Sequence, residues 1–134
     1  MRLIVTNNPL VEAYISAHGL DKYYQIAWIE GYTEDVLRHV RNLCHSHHRL
    51  ITHPLTGSVK PNHTPFKTVV LEQGDAKVVD LESVQLAEAG LGKALDLLKS
   101  RPRPEAAFRF SDDFAVIDLD FFKSYLLSVV NYPG

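Results

Sequence analysis

The chain has a single cysteine, Cys44, among 134 residues, so no intrachain disulfide can form. A lone thiol fits a reducing compartment. It also has no cluster of basic side chains. Lys and Arg are scattered, and the formal net charge is only −2. That excludes the electrostatic footprint of a nucleic-acid binder. No apolar run is long enough to cross a membrane, and the opening "MRLIVTNNPL" turns polar by position 6, too early for the apolar region of a signal peptide. Neither G-x-G-x-x-G nor G-x-x-x-x-G-K-[ST] occurs, so the dinucleotide and P-loop fingerprints are both missing. What remains is a cytoplasmic chain, read as one α/β domain over residues 1–134 that binds neither nucleic acid nor membrane.

What is present alternates between two periods. "RLIVT" (2–6) reads as a buried strand. Asn8 then caps a helix with Pro9 in its first position, and Gly19 ends it in the left-handed conformation. "YYQIAWIE" (23–30) is a second strand, followed by a helix that Thr33 caps, with Val36, Leu37, Val40, Leu43 and Cys44 as its apolar stripe. "RLIT" (49–52) and "FKTVVLE" (66–72) are the third and fourth strands. Asp80 caps a leucine-rich helix that reads as well buried, in which Gly90 and Gly92 mark either a close contact or a break. "RPRPE" (101–105) reads as a linker, and the last helix begins near Asp118, with Leu119, Phe122, Leu126, Val129 and Val130 on one face. A homodimer through the wider face of that helix is one option, a well-buried terminal helix the other. Strand, helix, strand, helix, strand predicts a three-layer α/β sandwich, Rossmann-like, with a mostly parallel sheet of about four strands.

In such a fold ligands bind at the carboxyl ends of the strands. That selects Thr6-Asn7-Asn8, Gly31-Tyr32 and the stretch "THPLTGSVKPNHTPFK" (52–67). The stretch is long for a connection without its own helix, and such loops are often functional. Gly57 and Ser58 can turn backbone N–H groups toward one point. Lys60 supplies a positive charge, and Ser58, Asn62 and Thr64 supply neutral hydrogen bonds. Three prolines stiffen the loop and lower the entropy lost on binding. With the helix start at Asn8-Pro9, these residues predict a site for a small anion. The alternative is a proline-braced connection whose polar groups satisfy its own backbone.

His53 follows the third strand directly, where an acid–base group or an anion donor would be useful. The segment "CHSHH" (44–48) with His53 and His63 invites a metal. Yet Cys44 completes an apolar stripe, and histidines near a helix C-terminus are favoured by its dipole. Neither a metal nor a cofactor is therefore expected. Cys44 reads as buried and inert, and Asp112-Asp113 as a cap or turn rather than a catalytic pair.

"IVTNNPLV" and "HRLITHPLTGSVKPNHTPFKTVVL" resemble the GrdX family, as does the later "DLESVQLAEAG". These are small bacterial proteins encoded with components of glycine, sarcosine and betaine reductases. The matching positions are Asn7, Asn8, His53, Pro54, Gly57, Ser58, Lys60, Pro61, Asn62, Thr64 and Pro65. The resemblance implies a cytoplasmic accessory protein of an amino-acid reductase system, with a reductase component as partner. With one cysteine and no Cys-x-x-Cys, the chain lacks the redox residues of a reductase subunit.

Three functions stay in view: an accessory protein binding a small anionic ligand through Asn7, Asn8, His53, Gly57, Ser58, Lys60, Asn62 and Thr64; a docking factor with no small ligand; and an enzyme on a phosphate or carboxylate substrate, with His53 as acid or base.

Overall fold

A computed structural model describes residues 1–55 and 59–131. The chain runs β1 (Arg2–Thr6), α1 (Pro9–Ala17), a 3-10 turn (Leu20–Lys22), β2 (Tyr24–Trp28), α2 (Thr33–His45), β3 (His48–Leu50), β4 (Thr68–Gln73), α3 (Leu81–Ser100), α4 (Glu105–Arg109) and α5 (Ser111–Asn131). The strands form one sheet in the order β2-β1-β4-β3.

Two hydrophobic clusters lie on opposite faces of that sheet. Strand side chains alternate in direction, so neighbours in the chain serve different layers. Ile4 and its cross-strand partner Val70 pack with Val11 and Ile15 of α1 and Phe122 of α5. Val5 and its partner Val69 pack with Val36, Val40 and Cys44 of α2 and Ala87 of α3. Each such fully buried aliphatic side chain contributes about 1.5–3 kcal/mol. Helices on both faces make the three layers expected from the sequence.

The sheet is mixed, which corrects the expected mostly parallel, Rossmann-like arrangement. β1 pairs with β2 in parallel, but β4 is antiparallel to both β1 and β3. The reason lies in the 52–67 connection. A parallel partner needs a crossover that carries the chain back along the sheet, usually a helix. The described part of this connection contains no helix, and the chain turns straight back into β4. β1, β2 and β3 still point the same way, so their carboxyl ends share one end of the sheet with the start of β4.

Local signals decide most boundaries. Asn8 caps α1 by accepting the Leu10 N–H at 3.0 Å, and Gly19 sits at φ 64° just beyond the helix, where a side chain would be strained. Thr33 is not the cap of α2. It is the first helical residue, and the Tyr32 N–H donates to Asp35 Oδ2 at 2.8 Å. The Thr33 hydroxyl instead donates to the Thr64 carbonyl at 2.7 Å, a tertiary bond that no local pattern encodes.

α3 runs unbroken through Gly90 and Gly92. A Cβ at Gly90 would lie 3.2 Å from Pro54 Cγ, so this glycine admits the 52–67 loop. The buried residues of α3 are Ser83, Ala87, Gly90, Leu91 and Ala94, whereas Leu81 and Leu95 are exposed. Small side chains let the helix approach closely, so its buried stripe is narrower than its leucines imply. The linker expected over 101–105 leads into the short α4, and α5 starts at Ser111, earlier than Asp118. Its buried residues include Ala115, Asp118 and Phe122; the side chain of Val130 lies outside the described residues.

Candidate functional site

The site grows from the end of β1. Thr6 is fully buried, and its Oγ1 accepts the Asn8 N–H at 3.0 Å. Thr68, its partner across the sheet, lies 2.8 Å away, hydroxyl to hydroxyl. Thr68 Oγ1 donates to Asp118 Oδ2 at 2.7 Å, so it accepts the hydrogen bond that the Thr6 hydroxyl donates. Asn8 Nδ2 donates to the same Asp118 oxygen at 2.9 Å and to the Ala115 carbonyl at 2.9 Å. A carboxylate reaching in from α5 is thus held by the end of β1, the start of β4 and the cap of α1.

Beside Thr68 in the chain is Lys67, 9% exposed, while Asp118 is 8% exposed. Such burial is rare for either residue type. Burial pushes the Asp118 carboxyl above the usual range, against the stabilising hydrogen bonds of Asn8 and Thr68 and the positive charge of Lys67. Burial likewise lowers the Lys67 ammonium to about 8, against the pull of Asp118. Lys67 therefore stays mostly cationic at neutral pH but loses its proton far more easily than an exposed lysine.

Two cavities meet at this pair. The larger, about 320 Å³, is walled by Ile51, Val70, Phe121, Phe122 and Tyr125, and its polar lining includes Thr52, Lys67, Thr68 and Asp118. The smaller, about 30 Å³, lies under the loop, where Leu55, Val59 and Phe66 face Phe114 and Ile117 of α5. Lys67, Asp118 and Phe121 line both.

The three strand-end segments picked out in the sequence do converge, and Asn7 joins them. Its Nδ2 donates to the Gly31 carbonyl at 2.9 Å and the Pro65 carbonyl at 2.8 Å, while its Oδ1 accepts the Lys67 N–H at 2.9 Å. The amide of Asn7 thereby positions Lys67. Asn8 positions Asp118 in the same way.

Other expected site residues are dispersed. Thr64 is buried, and its hydroxyl closes a local turn with Phe66. Asn62 is buried, donates to the Arg101 carbonyl at 3.1 Å, and keeps an Oδ1 with no hydrogen-bond partner among the described residues. Beside it, Arg103 anchors the loop by donating to the Pro61 carbonyl at 2.8 Å while paired with Glu34 at 3.0 Å. His53 and Lys60 are exposed and line neither cavity. His53 Nδ1 accepts the Leu55 N–H at 3.0 Å. Gly57 and Ser58 lie outside the described residues.

The histidine-rich segment is spread over different elements. His45 ends α2 and pairs with Glu88 at 2.9 Å, and His48 opens β3. Among the described residues no group of three or more His, Cys, Asp or Glu is placed to hold a metal ion. Cys44 is buried, and burial pushes its thiol up to about 11, away from the reactive thiolate. Asp112 and Asp113 are exposed in the first turn of α5.

Sequence reasoning passed over Lys67, Thr68 and Asp118. Lys67 does interrupt the apolar run "PFKTVVL", and Asp118 falls three residues after Ala115 and four before Phe122, on the buried face of α5. With the helix start placed near Asp118, the face that this carboxylate takes was left unassigned. Extending the helix back to Ser111 turns it inward.

A family model described as GrdX-like protein matches residues 3–127, nearly the whole chain, and the chain belongs to that family. No curated protein and no solved structure matches it. Among the described residues no helix is long and apolar enough to cross a membrane.

Proposed function

We propose that this member of the GrdX-like family is a cytoplasmic accessory protein of a glycine-reductase-type system. It binds a small anionic ligand at the carboxyl ends of the strands, in the cavity between β4, α5 and the 52–67 loop. The observation that carries this reading is Lys67, a buried lysine on the wall of a cavity large enough for a small molecule. A cation in a site of low polarisability attracts an anion far more strongly than an exposed lysine does. Asn7 holds the end of the loop at Pro65 and Lys67, Thr64 ties the loop to Thr33, and Asn8 holds the carboxylate beside the lysine. In this reading Asn62, bonded to the Arg101 carbonyl, braces the loop, and His53 and Lys60 lie outside the cavity.

A thermal-shift panel of phosphate, acetate and acetyl phosphate on wild type and Lys67→Met tests it. A ligand at ~100 times its dissociation constant stabilises by about 2.7 kcal/mol, a shift of several degrees for a domain of this size. The reading requires a shift in wild type that Lys67→Met abolishes. A flat panel in wild type removes it.

Docking on a reductase component is the second reading, and one observation favours it. Tyr32, Phe108 and Phe110 are exposed, and the rings of Tyr32 and Phe108 meet edge to face at 5.5 Å. Exposed aromatic clusters mark interaction sites. The loop itself is a poor docking edge, because Pro54 is buried and Leu55 packs on Leu37, Leu91 and Ala94.

A further inference from the structure

We propose that Lys67 is an imine-forming amine, whose ε-amino group condenses reversibly with the carbonyl carbon of a small aldehyde or 2-oxo acid held in the strand-end cavity. This deepens the ligand-site reading above and rests on it for the location of the cavity, not for the ligand's charge.

The geometry has three parts. Lys67 lies where the two cavities meet, with Asp118 in the wall of both. The Lys67 backbone is pinned by Asn7 Oδ1, and the hydroxyl of Thr68, the next residue and the first of β4, is bonded to Asp118, so the backbone that carries the amine and the carboxyl are tied to the same strand end. Phe121, Phe122 and Tyr125 form an aromatic wall that limits the water able to hydrolyse an imine. Burial, which brings the ammonium down to about 8, supports this chemistry by supplying neutral amine near neutral pH.

In the reaction the Lys67 nitrogen lone pair forms a C–N bond as the carbonyl π bond opens. Asp118, in its acid form, protonates the oxygen. The carbinolamine then expels that oxygen as water, with the two amine protons accounting for both hydrogens, and a C=N bond remains. Asp118 recovers its proton from the nitrogen, and no oxidant or reductant is consumed.

The test treats the full chain with glyoxylate or pyruvate in the presence of sodium cyanoborohydride, followed by peptide mass spectrometry. The expected result is a reduced adduct concentrated on the peptide containing Lys67 and lost in Lys67→Arg, which keeps the charge but cannot condense. Adduct spread evenly over exposed lysines such as Lys60, or absent altogether, overturns the proposal. The distribution in wild type decides the matter even if Lys67→Arg fails to fold. Parallel thermal shifts with phosphate and acetate separate the two readings. A shift in both proteins without adduct overturns the imine and leaves the anion site. Adduct at Lys67 with no such shift overturns the anion site and leaves the imine.

Discussion

Two groups of polar residues hold most of the chemically versatile side chains considered for this chain, and they differ in what surrounds them. The histidine-rich group, His45 with Glu88 and His53 with its own loop backbone, is exposed. The Lys67–Asp118 group holds fewer ionisable side chains, yet both are buried and both are displaced from their ordinary pKa. Water screens the first group, so its charges act weakly and locally. The second group lacks that screening, so each hydrogen bond and each charge shifts a proton equilibrium. Density of reactive residue types is therefore a poor guide to where chemistry is concentrated; burial beside a cavity is a better one.

The comparison can be sharpened by mutation. The largest effect is expected from Asp118→Ala, which removes the acceptor of Asn8 and Thr68 and leaves Lys67 without its neighbouring carboxylate. Removing one member of a buried charged pair costs about 3–5 kcal/mol, read as a fall in stability by denaturant unfolding. Next, Gly90→Leu should cost about 1–3 kcal/mol, because its side chain must displace Pro54 and the loop above it. At the small end, His45→Ala removes only an exposed ion pair and should change stability by less than ~1 kcal/mol. Equal effects from Asp118→Ala and His45→Ala would erase the distinction between the two groups.

The pH dependence of stability sharpens it further. The folded-state pKa of Lys67 is about 8, below the ordinary lysine value of 10.5. Between those values the unfolded chain binds more protons than the folded one, so this group makes stability rise with pH across that window. Below about 8 its full penalty is present. The difference between wild type and Lys67→Met, measured by unfolding from pH 7 to 11, should show that rise. For Asp118 the folded pKa is raised, so its contribution has the opposite slope: stability falls as pH climbs above the ordinary carboxylate range. Asp118→Asn should flatten that fall.

Much of the layer structure is legible in the chain. The run at 2–6, the Asn8-Pro9 helix start and the stripe through Val36, Val40 and Cys44 are local patterns, and local patterns decided them. The direction of β4 was missed although its cause was visible, because a connection read as having no helix of its own does not supply the crossover that a parallel partner needs. Within the site, Asn7, Asn8 and Thr64 were visible as polar residues at strand ends. Their partners were not, since Asn7 reaches Pro65 and Asn8 reaches Asp118 across the fold. Lys67 and Asp118 look unremarkable in sequence because a single charge in an apolar run reads as a strand edge or a helix cap. Only the packing of α5 against β4 turns them inward together.

Lys67 is a buried lysine on the wall of the strand-end cavity, and the ligand-site proposal stands or falls with its protonation. The most direct measurement follows the Lys67 13Cε resonance by NMR as pH is varied, with and without added phosphate or acetate. The account predicts a titration near 8 that moves upward when an anion binds beside the ammonium. A midpoint near the ordinary lysine value of about 10.4, unmoved by either anion, would contradict it.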